Sequence, residues 1–249
     1  MKKALATFLT MTLIVALPGL VFAQGQYVDN SIGVDVGFPN GSTVIPNVSF
    51  GIVGVTGGTV YSNNNYLKTE ASHFKNLSLY VNTGLNASSS SPYYQQALTD
   101  CSGDVNCAAY KYGYNAGLAA VSYAQTQTIN PATTWWLDVE TANSWTTDYA
   151  QNIQSLQGET DALNTGGATT VGVYSTTVTW GDITGGWQNN LPSWGATTWT
   201  TSKQALTYCT GHQFNGGTSY LMQYKPNGSK VDYDVVCPVQ INKTPKSHK

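Results

Sequence analysis

The chain has 249 residues, of which only 10% are charged, and its formal net charge is −2. It contains no arginine, which is the side chain best suited to bind phosphates and base edges. The composition therefore argues against a nucleic-acid partner. A polar surface of Ser, Thr, Asn, Gln, Gly and Tyr is typical of secreted proteins that contact uncharged material such as glycans.

Residues 1–23 have the features of a secretory signal peptide. Lys2 and Lys3 form a positive start, the apolar stretch 5–22 contains Pro18, and Val21–Ala23 offers small residues for cleavage. Because this stretch is short and interrupted by proline, cleavage is favoured over an uncleaved membrane anchor, which remains the alternative. We expect a secreted protein with one domain over residues 24–241, no membrane association after cleavage, and a disordered basic tail over 242–249.

The four cysteines indicate two disulfides, because an even count after a signal segment is typical of secreted domains. Pairing of neighbours, Cys101 with Cys107 and Cys209 with Cys237, is the first choice among three connectivities. Zinc is the alternative, but the spacings do not fit a zinc ribbon and the three histidines show no ligand pattern. We expect no metal and no cofactor.

Eight β-rich runs are predicted as strands, over 31–37, 48–56, 77–82, 135–140, 169–174, 197–200, 219–224 and 231–236. Helices are predicted over 65–76, over 107–127, and from a cap at 146–148 to residue 163, whereas 86–94 is predicted as a loop. Strands and helices alternate in the first half, and the later strands are closely spaced. This order predicts an α/β fold, a TIM-type (β/α) barrel with helices lost in the later units.

Two carboxylates end the predicted fourth strand. Asp138 and Glu140 are two positions apart, so they project from the same face, where they repel each other. Asp35 lies towards the C-terminal end of the first strand, and Asp232 lies at the start of the eighth. Active sites of such barrels lie at the C-terminal ends of the strands, so these acids are candidates for one site. The alternative is that they are solvated carboxylates with no role.

Four motifs, in this order, resemble the family 25 glycoside hydrolases, the lysozyme-like muramidases that cut peptidoglycan: 33–36, 138–140, 172–175, and Gln223-Tyr224 followed by Val231-Asp232. A closer resemblance is to secreted, actinobacterial-type glycoside-hydrolase-like domain proteins of unestablished activity, through 107–110, 112–116, 135–141 and 173–176. Family 18 chitinases would need an Asp where this chain has Trp136.

The resemblance implies roles for the four acids. Glu140 matches the general acid, Asp138 the residue that assists the substrate's N-acetyl group, and Asp35 and Asp232 the outer carboxylates. The expected substrate-binding residues are Asn82, Tyr174, Trp199, Gln223 and Tyr224.

We therefore predict a secreted monomer that hydrolyses a cell-wall polysaccharide such as peptidoglycan. Two alternatives remain open. One is a catalytically retired barrel that binds cell-wall glycan, and the other is an adhesin or structural protein with no sugar site.

Overall fold

The computed structural model describes residues 26–38, 40–41 and 43–238. The expected signal peptide over 1–23 and the expected basic tail over 242–249 lie outside these residues. In the part of the chain that is described, no helix combines the length and apolar character needed to cross a membrane.

Eight strands form one closed barrel in chain order: β1 (Ile32–Val36), β2 (Phe50–Gly54), β3 (Leu77–Asn82), β4 (Thr134–Asp138), β5 (Thr170–Ser175), β6 (Ser193–Ala196), β7 (Ser219–Tyr224) and β8 (Asp232–Val236). Neighbouring strands from β1 to β7 are parallel, whereas β8 is antiparallel to both β7 and β1. The predicted α/β barrel is confirmed, with its last strand reversed.

Within the described residues, six helices surround the barrel: α1 (Leu67–Ala71), α2 (Pro92–Asp100), α3 (Val105–Thr126), α4 (Tyr149–Thr165), α5 (Thr177–Thr184) and α6 (Ser202–Leu206). The long helices α3 and α4 flank β4, and the later helices are short. Helices α2, α5 and α6 were not predicted, and α2 begins inside the predicted loop over 86–94. Each begins at a hydroxyl cap, Ser91, Thr176 or Thr201, which is a start signal present in the sequence.

The sixth strand lies at 193–196 and not at 197–200, so that prediction is wrong. The threonine-rich run 197–200 has high β-propensity, but burial against the barrel decides which residues form the strand. Trp194 is buried in the strand, and Trp199 lies beyond its end. Thr197 follows the last strand residue and its hydroxyl donates to the backbone oxygen of Gln223 at 2.7 Å.

Large apolar side chains fill the interior of the barrel. Trp136 and Trp194 meet edge to face, with ring centroids 5.9 Å apart. They cluster with Phe50, Ile52 and Leu221, all almost fully buried. These buried side chains form an apolar floor inside the barrel. Side chains alternate along a strand, so a residue two positions after a floor residue also faces the interior and lies nearer the C-terminal end of its strand.

Both disulfides have the expected pairing. Cys101–Cys107 closes the turn between α2 and α3, and Cys209–Cys237 ties the segment after α6 to the end of β8. The first bond therefore constrains the start of α3, and the second constrains the last part of the described chain.

Helices α3 and α4 pack through glycines. A Cβ atom on Gly113 would lie 1.9 Å from the backbone oxygen of Ser155, and one on Gly158 would lie 2.0 Å from that of Tyr110. The two backbones therefore approach more closely than any side chain permits. This contact holds α4, which follows the strand of Asp138, against its neighbour.

We expect Gly158→Ala to lower the free energy of unfolding by about 1–3 kcal/mol, because the added methyl group forces the helices apart. This loss occurs although alanine favours a helix by about 1 kcal/mol over glycine. Gly181→Ala in α5 is the matched control, since a Cβ there meets nothing within 4 Å. Urea denaturation followed by circular dichroism measures both, and a Gly158→Ala protein as stable as wild type would contradict the close contact.

Candidate active site

The predicted acids meet at one end of the barrel. Because β8 is reversed, its first residue lies at the same end as the last residues of β1 to β7. Asp35 is directly opposite Asp232 in the β1–β8 ladder. At the ends of β3, β4 and β5, Asp138 lies opposite both Asn82 and Tyr174.

A pocket of ≈ 230 Å³ lies at this end of the barrel. It is lined by Asp35, Tyr80, Asp138, Glu140, Tyr174, Trp194, Gln223 and Asp232. The lining includes the four predicted catalytic acids and two of the predicted substrate-binding residues. In the part of the chain that the structure describes, no group of three His, Cys, Asp or Glu side chains is arranged to hold a metal ion.

Asp138 is held rigidly from one side. Its Oδ2 accepts a hydrogen bond of 2.5 Å from Nδ2 of Asn82, and the amide of Asn82 is itself oriented by the hydroxyl of Thr56, which donates to its Oδ1 at 2.8 Å. The side chain of Asp138 is buried, and its Oδ1 has no hydrogen-bond partner among the described residues. A buried acceptor without a partner costs about 1–3 kcal/mol, so a ligand that donates to Oδ1 would recover this energy.

The pKa values of the central pair are both raised. Burial raises the pKa of Asp138 well above its usual range, and repulsion from Glu140 adds to the effect. Partial burial, and then the charge of Asp232, raises the pKa of Glu140. The pair therefore retains protons at pH values where ordinary carboxyl groups are ionised.

A hydrogen-bonded chain reaches Asp35 from β5 and β7. The hydroxyl of Tyr174 donates to Oε1 of Gln223 at 2.8 Å, and Nε2 of Gln223 donates to Oδ2 of Asp35 at 2.9 Å. Burial and repulsion from Asp232 nevertheless raise the pKa of Asp35 to about 7. Asp232 itself pairs with Nζ of Lys225 at 3.0 Å.

Sequence reasoning missed a fifth carboxylate beside the pocket. Asp234 is fully buried, and Nε1 of Trp194 donates to its Oδ1 at 2.7 Å. Burial raises the pKa of Asp234 well above its usual range, and the charge of Asp35 adds to this. Its spacing of two residues from Asp232 is the signal that singled out Asp138 and Glu140, and it could have identified this pair as well.

Tyr80 and Trp194 were also not assigned to the site. Tyr80 fits because the chain has glycine beside it: a Cβ on Gly37 would lie 2.1 Å from its hydroxyl, and one on Gly54 would lie 2.5 Å from its ring. The ring centroid of Trp194 is 4.4 Å from that of Tyr174. Glycine near the end of a neighbouring strand can therefore indicate that a large aromatic ring lies in the pocket beside it.

Three predicted substrate-binding residues do not line the pocket. Asn82 lies behind Asp138 and positions it. Trp199 lies beyond β6 and packs against Tyr208, with centroids 6.0 Å apart. Tyr224 alternates with Gln223 on β7, so it faces away from the interior and clusters with buried residues such as Cys209.

Comparison with known proteins supports the assignment of the fold. A family model described as Lys-1, Lysozyme-like protein 1, matches residues 104–215, a range that contains Asp138 and Glu140. A search of curated proteins by sequence gave no match.

Several solved structures have a similar fold. The bacterial lysozyme from Streptomyces coelicolor is 14% identical, with a TM-score of 0.53 over 86% of this chain and 95% of that one. A family 25 glycosyl hydrolase from Bacillus anthracis is 14% identical, with a TM-score of 0.53 over 85% and 91%. The modular autolysin LytC from Streptococcus pneumoniae is 13% identical, with a TM-score of 0.54 over 82% of this chain.

The chain spans only 46% of the length of LytC, a modular protein, but nearly all of the two other chains. At these identities the likeness concerns the fold. The protein therefore has the barrel of the family 25 glycoside hydrolases, and its fold is lysozyme-like.

The raised pKa values predict that stability falls as pH rises. The folded state holds protons on Asp35 from the usual carboxyl pKa of about 4 up to about 7, whereas the unfolded chain has lost them. The melting temperature should therefore be higher at pH 5 than at pH 8, and Asp35→Asn should reduce this difference. Asp161→Asn, which removes an exposed carboxyl group, is the control. Thermal unfolding between pH 4 and 8 measures it, and an unchanged pH dependence in Asp35→Asn would exclude this explanation.

Proposed function

We propose that the protein, after removal of residues 1–23, is a secreted monomeric hydrolase that cleaves glycosidic bonds in a cell-wall polysaccharide such as peptidoglycan. The observation that carries the proposal is the convergence of Asp35, Asp138, Glu140 and Asp232 in one pocket over a tryptophan floor. Two disulfides are typical of extracellular proteins, and LytC has been solved with a synthetic peptidoglycan ligand.

Glu140 is the proposed general acid. Cleavage of a glycosidic bond passes through an oxocarbenium-like state, which needs a proton for the leaving oxygen and negative charge near the sugar ring. Glu140 is exposed to solvent at the pocket, and its raised pKa favours the protonated form at mildly acidic pH. Asp232 is the proposed source of the negative charge, because Asp35, whose pKa is raised to about 7, keeps its proton at mildly acidic pH.

Asp138 is proposed to bind the N-acetyl group of the substrate. Its Oδ2 is occupied by Asn82, and its Oδ1 is the acceptor left for the N–H of an acetamido group. Holding this N–H would turn the acetyl oxygen towards the anomeric carbon, so that the substrate supplies its own nucleophile. No enzyme nucleophile is then required.

Substrate binding would also set the protonation of the pair. A hydrogen bond donated to Asp138 favours its ionised form. The resulting charge on Asp138 raises the pKa of Glu140 further, because the two groups repel each other. The bound acetamido group would thus place the proton on the residue that must donate it.

We expect Glu140→Gln to lower kcat on peptidoglycan by about 10²- to 10⁴-fold, the usual contribution of general acid catalysis. The amide keeps the shape of the side chain and removes the proton. Asp161→Asn, which removes an exposed carboxyl group from α4, should leave kcat unchanged. Release of reducing ends from purified peptidoglycan measures the rate.

Equal turnover by Glu140→Gln and wild type would contradict the assignment of the acid. If folded wild-type protein binds peptidoglycan saturably but releases no reducing ends, the protein is a retired barrel that binds glycan. If it neither binds nor cleaves peptidoglycan or chitin-type polymers, the proposed function is wrong.

The role of Asp138 predicts a dependence on the N-acetyl group. Wild-type protein should cut de-N-acetylated peptidoglycan at least ~10²-fold more slowly than the acetylated polymer, because the internal nucleophile is missing. Asp138→Asn should lose a similar factor on the acetylated polymer and little on the de-N-acetylated one. Initial rates for the four combinations form a cycle, and losses that simply add would show that Asp138 does not act through the N-acetyl group.

A further inference from the structure

A second pocket, of ≈ 350 Å³, lies at the same end of the barrel. Its walls are the segments that follow β2, β3 and β4, which are parallel neighbours, together with the first two residues of α2 and one residue of α3. The lining residues are Thr59, Val60, Asn86, Ser90, Ser91, Pro92, Tyr93, Tyr112, Ala142, Asn143 and Ser144. We name it the amide pocket, after Asn86 and Asn143.

Packing keeps the amide pocket in shape. The rings of Tyr61 and Tyr93 stack with centroids 3.7 Å apart and planes 1° apart. The hydroxyl of Tyr61 donates to the backbone oxygen of Tyr112 at 2.6 Å. A Cβ on Gly84 would lie 2.7 Å from the backbone oxygen of Ser144, so the segments after β3 and β4 are in direct contact.

The chemistry of the amide pocket differs from that of the first pocket, which we name the carboxylate pocket because Asp35, Asp138, Glu140 and Asp232 line it. Its lining contains no Asp, Glu, Lys or His, and offers hydroxyl groups, two side-chain amides and the ring of Tyr93, which is 49% exposed. Hydroxyls and amides bind sugar hydroxyl and acetamido groups, and an aromatic ring gives an apolar face to stack on. An ionised group, such as a carboxylate of a stem peptide, would find no counter-charge in this lining.

One turn joins the two pockets. The backbone N–H of Asn143 donates to the backbone oxygen of Glu140 at 3.1 Å, and its Nδ2 donates to the backbone oxygen of Asp138 at 2.9 Å. The indole of Trp145 also donates to the backbone oxygen of Glu140 at 2.8 Å. Asn143 is thus part of the amide pocket and braces the strand end that carries the proposed acid.

We infer that the amide pocket binds an uncharged sugar unit of the polymer whose bond is cut in the carboxylate pocket. The inference rests on the proposed function for the identity of the polymer. Contacts to sugar units remote from the cleaved bond supply binding energy that fixes the polymer for reaction. A glycan long enough to reach both pockets should therefore bind through Tyr93 and Asn86.

The test uses chitohexaose, a neutral N-acetylglucosamine oligomer, with the full-length Glu140→Gln protein so that the glycan survives. Calorimetry should show a Kd raised roughly 2- to 10-fold by Tyr93→Ala, because the exposed ring face on which a sugar would stack is lost. Tyr149→Ala is the matched control, because Tyr149 is also 49% exposed and lines neither pocket. Chitohexaose should also shift the side-chain amide signals of Asn86 and Asn143 in ¹H–¹⁵N spectra.

Asn86→Ala gives a second variant that leaves the stacked tyrosines in place, and it should also weaken binding. The inference is overturned if chitohexaose does not bind, if it leaves the Asn86 amide unmoved, or if Tyr149→Ala weakens binding as much as Tyr93→Ala. Peptidoglycan turnover by wild type, measured in parallel, separates the two claims. Binding through the amide pocket without turnover defeats only the proposed hydrolysis, and turnover with unchanged binding in both variants defeats only the inference.

Discussion

The reversal of β8 is the constraint on which the site depends. In a barrel of parallel strands, the C-terminal ends form the functional end, and a parallel eighth strand would begin at the opposite end. Because β8 is antiparallel to both neighbours, its first residue, Asp232, lies beside the end of β1, and Asp234 lies two residues deeper in the barrel, opposite Gly33. The ladder places Asp35 opposite Asp232, so the closing strand of the barrel also completes the set of acids.

This concentration of negative charge is held at a cost to stability. Burial above Trp136 and Trp194 raises the pKa of Asp35 and Asp138, and the charges of Asp232 and Glu140 respectively raise these two pKa values further. The protein offsets part of this cost with directed donors: Asn82 to Asp138, Gln223 to Asp35, and the indole of Trp194 to Asp234. None of these donors carries a charge, so they orient the acids while leaving the pKa values high. Such a site is more consistent with proton chemistry than with structural support.

The sequence predicted the barrel and the acids because both depend on order along the chain. The Asp138–Glu140 spacing and the strand-end positions needed no knowledge of packing. The position of the sixth strand could not be obtained in this way. Trp199 lies in β-favouring threonine-rich sequence, whereas Trp194 lies among Pro, Ser, Gly and Ala, and it is burial against the barrel that makes the latter the strand. Asp234 was missed because only the acid at the start of the predicted strand 231–236 was considered, and its burial against the indole of Trp194 is a matter of packing.

The two central acids differ in how firmly they are held, and this difference suits different tasks. The carboxylate of Asp138 is fixed through Asn82 and Thr56, and it is buried. In contrast, the described residues form no hydrogen bond with the carboxyl group of Glu140, and only its backbone oxygen is held, by Asn143 and Trp145. A group that positions a substrate must not move, whereas a group that delivers a proton must follow the oxygen that receives it. The structure thus places rigidity on the proposed positioning residue and freedom on the proposed acid.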